Sequence, residues 1–254
     1  MERLVLVHGS IVGARATWTV QQPLAERFEL VLVERPGFPP NAPVDRVDFE
    51  SDALLVAERL ESGDHLVGHS YGGVISMLAA AQNPAAVRSL AVIEPPATRV
   101  AAGNPAVDEF AAAGEALYAA GARDDPETFL RRFLVAVGSA LDPPSPLPPE
   151  LEQGARALQV ERGPWEAEIP LDVLAAAPFP KLVFSGSHSA AFDGICDVLE
   201  ERLPAERVAL EGFGHTVQRH PDFNEHLADF VERAARGRQE LRGGGRYPDT
   251  HMPK

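Results

Sequence analysis

Hydrophobic residues along this chain fall into short unbroken runs separated by longer segments of helical period. The short runs are residues 3–9 (RLVLVHG), 29–37 (ELVLVERPG), 65–70 (HLVGHS), 87–96 (VRSLAVIEPP), 181–186 (KLVFSG) and 207–212 (RVALEG), most of them closed by glycine or proline. Apolar runs without polar alternation are the pattern of strands covered on both faces, so they predict a parallel sheet. Residues 16–28 carry helical spacing that Pro23 must bend or restart. Residues 48–62 set Phe49, Ala53, Leu54, Val56, Ala57 and Leu60 at helical spacing, and Gly63 closes the segment. Segments 71–84, 194–204 and 222–236 also read as helices. Strand alternating with helix predicts an α/β fold, a mostly parallel sheet covered by helices on both faces.

The alternation lapses once, between Pro96 and Pro178. Helices are expected near 106–120 and 126–137, followed by the proline-rich LDPPSPLPPEL, and no strand pattern is visible there. Phe110, Leu117, Tyr118, Phe129, Phe133, Leu134 and Trp165 make the segment too apolar for a disordered linker. The expected organisation is therefore a core of residues 1–96 and 179–236 with an inserted helical cap over 97–178. After Arg236, three consecutive glycines and a Pro–Asp pair without apolar period predict a mobile tail over 237–254.

Composition narrows the function classes. A chain of 254 residues with 45% hydrophobic content can bury one large core. Its formal net charge of −14 argues against a nucleic-acid partner, because neutralising phosphates needs lysine and arginine. The single cysteine, Cys196, permits no intramolecular disulfide and suits a reducing compartment. The first apolar run is too short for a signal sequence, and no run is long enough to cross a bilayer. A soluble cytoplasmic protein with a small-molecule partner and no membrane partner is expected. The sequence sets no oligomeric state.

Candidate chemistry gathers at the ends of the predicted strands. Gly68-x-Ser70-x-Gly72 lies between a strand and a helix. A sharp strand-to-helix turn lifts its central side chain to the top of the sheet, and the helix start aims N–H groups at the same spot. Ser70 is thus a candidate nucleophile. His215 sits in the glycine-rich LEGFGH loop before the last helix, where imidazole can take a serine's proton and return it to a leaving group. His8-Gly9 ends the first strand, so the N–H of Ser10, with that of Tyr71, can form an oxyanion hole. His69 adjoins Ser70 and is expected to pack.

The order HG, GHSYGG, inserted helical segment, then GFGH resembles the α/β-hydrolase superfamily over about residues 3–235. The resemblance implies that fold, a serine-nucleophile branch rather than one with a carboxylate at the elbow, and no cofactor; the sequence itself shows no metal constellation. One departure concerns the acid that should orient His215. Many members carry it a few residues after the glycine of the strand here read as KLVFSG, where this chain has Ser187, His188 and Ser189. Some members place it at the end of the preceding strand, where Glu94 stands before Pro95 and Pro96. Asp193 is an alternative acid, and a Ser70–His215 dyad without an acid is a third arrangement.

These readings converge on a serine hydrolase cleaving an ester, lactone or thioester of a small, largely apolar molecule. Trp18, Phe110, Phe129, Phe133 and Trp165 are the expected pocket residues. Carbon–carbon bond hydrolysis or a lyase step, and a ligand-binding receptor with little turnover, are the alternatives on the same fold.

Overall fold

The computed structural model describes residues 1–139 and 141–243, with 237–243 described by backbone alone. In chain order the elements are β1 (Arg3–Val7), α1 (Ala14–Thr17), β2 (Glu29–Val33), α2 (Phe49–Arg59), β3 (Asp64–His69), α3 (Tyr71–Gln82), β4 (Val87–Ile93), α4 (Pro105–Gly121), α5 (Pro126–Ala136), α6 (Pro149–Gln159), α7 (Leu171–Ala176), β5 (Lys181–Ser185), α8 (Ala190–Arg202), β6 (Glu206–Ala209) and α9 (Phe223–Gly243). The strands form one parallel sheet in the order β2-β1-β3-β4-β5-β6. The winding reverses between β1 and β3, so the crevice at their carboxyl ends is the natural place for a ligand.

The unbroken apolar runs work as two-sided strands. Val5, Val7, Leu66, Leu90, Val92 and Val183 face one core, shared with α2, α3 and α8. Leu4, Leu6, Val67, Ala91, Ile93, Leu182 and Phe184 face the other, shared with α1 and α9. Alternate residues of a strand point to opposite faces, so each run supplies both cores. Asp48 starts α2 by accepting the N–H groups of Glu50 and Ser51. Leu54 on that helix is 55% exposed, outside the apolar face expected for it. The break in residues 16–28 falls at Trp18 rather than at Pro23: α1 stops at Thr17, and Pro23 lies inside a 3₁₀ run from Thr19 to Glu26.

Between β4 and β5 the chain is helical, with α4 and α5 close to their expected bounds. Helix α6 was not expected, because the prolines around it read as a breaker. Pro149 instead occupies the first turn of α6, as Pro105 and Pro126 do in α4 and α5, where the missing N–H costs no hydrogen bond. Phe129, Leu130, Leu134, Leu147, Ala155 and Leu158 form a third core with Ile11. Helix α8 begins four residues earlier than its apolar pattern suggested, at Ala190 rather than Gly194. Helix α9 continues to Gly243, so 237–243 are helical backbone rather than tail, and residues 244–254 lie outside the described residues.

A buried ion cluster ties this helical segment to the sheet. Arg35, in the turn after β2, bonds Asp52 of α2 at 2.8 Å and Glu161, just past α6, at 3.0 Å. Its guanidinium also donates to the Gly9 carbonyl and lies between the rings of Phe38 and Tyr71. Burial pushes the Glu161 carboxyl up, against the pull of Arg35 and the Ser10 hydroxyl. Arg35→Ala is expected to cost about 3–5 kcal/mol of stability, because it strands two carboxylates without their cation. Urea unfolding followed by circular dichroism measures the loss; a change under 1 kcal/mol would mean that the cluster contributes little to stability.

Candidate active site

The parallel register sets the ends of three strands side by side. His69 pairs with Ile93 and Ile93 with Phe184, so the next residues, Ser70, Glu94 and Ser185, stand in a row. The ladder continues through them: Ser70 N–H donates to the Ile93 carbonyl at 2.8 Å, and Glu94 N–H to that of Phe184 at 3.1 Å.

Ser70 occupies a backbone conformation that ordinary residues avoid, with φ of 54° and ψ of −124°. Strain of this kind persists only where packing over-determines it. The packing here is glycine-dependent: a Cβ on Gly68 would strike the Gly72 carbonyl, and one on Gly72 would strike the carbonyls of Val7 and His8. The Ser70 side chain does not cap α3, which leaves its hydroxyl for another partner. That partner is His215, whose Nε2 is 2.9 Å from Ser70 Oγ. The His215 Nδ1 is 2.9 Å from Glu94 Oε2. Ser70, His215 and Glu94 therefore form one continuous hydrogen-bonded chain, all three residues buried.

Glu94 is also strained, with φ of 43° ahead of Pro95. Its Oε1 accepts the Gly186 N–H at 2.7 Å. Burial disfavours the carboxylate, but contacts with His188 and His215 and the Gly186 N–H outweigh it and hold Glu94 at about 2. The loops carrying these groups press together closely enough that a Cβ on Gly186 would strike the Gly214 carbonyl. His69 Nε2 donates to the His215 carbonyl at 2.9 Å. Burial, then the neighbouring His215, lowers His69 to about 3, so it serves as a neutral donor bracing the His215 loop.

Asp193 is not beside His215. It lies in the first turn of α8 with Oδ1 3.4 Å from Arg207, and the ring of its neighbour Phe192 is the one that meets His215, at 4.5 Å between centroids. Ser10 follows β1, and its hydroxyl donates to Glu161 Oε2 at 2.6 Å. Tyr71 opens α3, so its N–H has no acceptor within the helix.

An apolar chamber of about 120 Å³ touches Ser70 and Tyr71 beneath Phe110, Phe133 and Trp165. Two expected pocket residues are elsewhere. Trp18 is fully buried against α9, because it ends α1 on the far face of the sheet. Phe129 is buried inside the helical segment, edge-on to Tyr118 and filling the space at Gly121. In their places the chamber has Tyr118 and Phe192. Tyr118 sits eight residues after Phe110 on α4, a helical spacing that could have flagged it.

His188 is the site residue that sequence reasoning missed. Its Nδ1 lies 3.4 Å from Glu94 Oε1, and this ionic contact raises its pKa above the usual imidazole value. Glu94, His188 and His215 bring one carboxylate and two imidazoles within 4.8 Å, a donor set that divalent metals use. Both nitrogens of His215 are committed, to Ser70 and to Glu94, and Glu94 Oε1 takes the Gly186 N–H.

A family model described as the alpha/beta hydrolase family matches residues 4–226. The chain belongs to the alpha/beta hydrolase family. This hydrolase is 33% identical over 90 residues to the pimeloyl-[acyl-carrier protein] methyl ester esterase of Chromobacterium violaceum; the match spans 35% of each chain. Among solved structures it resembles one from a study of carboxylesterases of the ammonia-oxidizing thaumarchaeon Nitrososphaera gargenis, with a TM-score of 0.69 and 18% identity over 93% of this chain and 92% of that one. It also resembles an alpha/beta hydrolase from Sphaerobacter thermophilus, with a TM-score of 0.64 and 25% identity over 90% and 92% of the two chains. No helix among the described residues of this hydrolase is long and apolar enough to cross a membrane.

Proposed function

We propose that this alpha/beta hydrolase is a serine esterase that cleaves an ester, lactone or thioester of a small, largely apolar molecule through an acyl-enzyme. The carrying observation is the Ser70–His215–Glu94 chain of two 2.9 Å hydrogen bonds beside an apolar chamber. Ser70 Oγ attacks the carbonyl carbon while His215 Nε2 takes its proton. Glu94 accepts the Nδ1–H, which keeps Nε2 free as the base and stabilises the imidazolium once formed. The N–H groups of Ser10 and Tyr71 receive the negative charge that develops on the carbonyl oxygen. Collapse expels the leaving group with the proton from His215, and water activated by the same imidazole releases the acid. The residues over 97–178 act as the cap that closes the acyl chamber. The methyl ester esterase relative supports ester chemistry.

The test is a panel of p-nitrophenyl esters and thioesters of graded acyl length, run alongside a fluorophosphonate probe. Turnover together with a covalent adduct mapped to the Ser70 peptide is expected. An adduct at any other residue would reassign the nucleophile, and tight ligand binding without turnover would favour a receptor.

A further inference from the structure

Two chambers meet at Ser70, and they differ in kind. Both are lined by Ser10, Ser70, Phe133 and Val137. Beyond those, the first has Tyr71 and the aromatic rings already described, and no charged side chain. The second is larger, about 250 Å³; its walls are largely apolar, with Ile11, Val12, Leu134 and Leu141, and the polar side chains of His215, Ser139 and Arg219 are added to them.

On the serine-esterase reading, mechanism assigns the two. An acid catalyst must lie within hydrogen-bond reach of the atom it protonates. His215 lines the second chamber and not the first, so the departing oxygen or sulfur lies in the second. The acyl group then takes the other chamber that opens at Ser70, the first, whose lining has no charged side chain.

Arg219 then sits along the leaving group's path. It is the one Arg, Lys, Asp or Glu side chain lining either chamber among the described residues. It is exposed, and its recorded hydrogen bond is through the backbone N–H to Thr216. Among the described residues no carboxylate pairs with it, as is also true of Arg15, Arg59 and Arg123, but of these four only Arg219 lines a chamber at Ser70. The chain's net charge of −14 repels anions in general, so an unpaired guanidinium at this mouth is a local exception to that field. Among the neighbouring hydroxyls, that of Ser139 accepts the Leu141 N–H and keeps its own proton to donate to an anion, whereas Thr17 and Thr216 give theirs to backbone carbonyls.

We propose that the second chamber is a leaving-group site selective for an alcohol or thiol carrying a carboxylate or a phosphate-type anion, held at Arg219. This rests on the serine-esterase reading above and goes beyond it by naming the class of the departing half.

The test uses esters of one acyl group on three phenols: 4-carbamoylphenol, 4-carboxyphenol and 4-phosphonophenol. For each protein the ratio of kcat/KM for an anionic ester to that for the carbamoyl ester is measured. Comparing ratios between proteins cancels the intrinsic reactivity of each phenol. Arg219→Ala should lower the ratio about fivefold, the upper range for an exposed ion pair. Arg219→Glu should lower it further, Arg219→Lys should keep most of it, and added salt should shrink the wild-type preference. The carboxy and phosphono arms show which anion is preferred. Turnover with the same ratio in the wild type, Arg219→Ala and Arg219→Glu overturns the charge assignment alone. Failure to turn over any ester, with no fluorophosphonate adduct at Ser70, overturns the esterase reading and the chamber assignment with it.

Discussion

Ser70→Ala is expected to lower kcat on the best ester of the panel by about 10⁶, the loss that follows removal of the nucleophile from a serine hydrolase of this design. The substitution removes the oxygen that would bond the acyl carbon, and nothing near it can stand in. Among the described side chains, the other hydroxyl lining both chambers is that of Ser10, and it donates to Glu161 rather than to His215. The fold should survive. The turn is held by the close approach at Gly68 and Gly72 and by the Ser70 N–H bond to Ile93, and alanine leaves both in place. The lost Ser70–His215 hydrogen bond contributes about 1 kcal/mol to stability, so inactivity should come with an almost unchanged unfolding midpoint. Steady-state kinetics and a urea titration on the same preparation separate the two effects. Retention of even 1% of activity, with contamination excluded by active-site titration, would mean that another group attacks.

Glu94→Gln should lower kcat by at least about 10², and by as much as about 10⁴, with KM changing little. The amide has nearly the shape of the carboxylate, and its oxygen can still accept the Gly186 N–H. Its NH₂ then faces His215 Nδ1, where a second donor already points. The ring relieves that clash by moving its proton to Nε2, which leaves no lone pair to receive the Ser70 proton. Asp193→Asn should cost less than tenfold, since that carboxylate faces Arg207. The reverse ranking, with both variants folded, would move the orienting role to Asp193 and make Glu94 structural; small equal losses would favour an unassisted dyad.

The same substitution has a signature in acid. Glu94 is held at about 2 against an ordinary value of 4.5. A depressed folded-state pKa adds stability that is fully present above the unfolded value and is lost as pH falls through the folded one. The wild type should therefore lose this contribution between about pH 4.5 and about 2. Glu94→Gln removes the ionisation, so its stability should fall less steeply across that window, as measured by urea midpoints at several pH values.

Local patterns determined a great deal by themselves. The strands declared themselves through runs such as RLVLVHG and KLVFSG, because a strand covered on both faces has no polar side to interrupt it. GHSYGG between a strand and a helix, and a histidine in the loop before the last helix, pointed to Ser70 and His215 through turn chemistry confined to a few residues. Tertiary structure decided what depends on neighbours far apart in the chain. Glu94 and Asp193 both lie near the right strand ends, and only the parallel register of β3, β4 and β5 turns Glu94 toward His215, 121 positions away. Phe129 and Phe133 belong to one helix four residues apart, yet packing sends Phe129 into the segment's own core and Phe133 to the chambers. Trp18 looked like a pocket residue because aromatic composition does not reveal which face of the sheet a turn is on. Glu161 and His188 carried no local signal, for each takes its partners from distant parts of the chain: Arg35 and Ser10 for one, Glu94 for the other. Periodicity and turn residues report a side chain's own backbone, whereas burial, pairing and protonation follow from what the rest of the fold brings beside it.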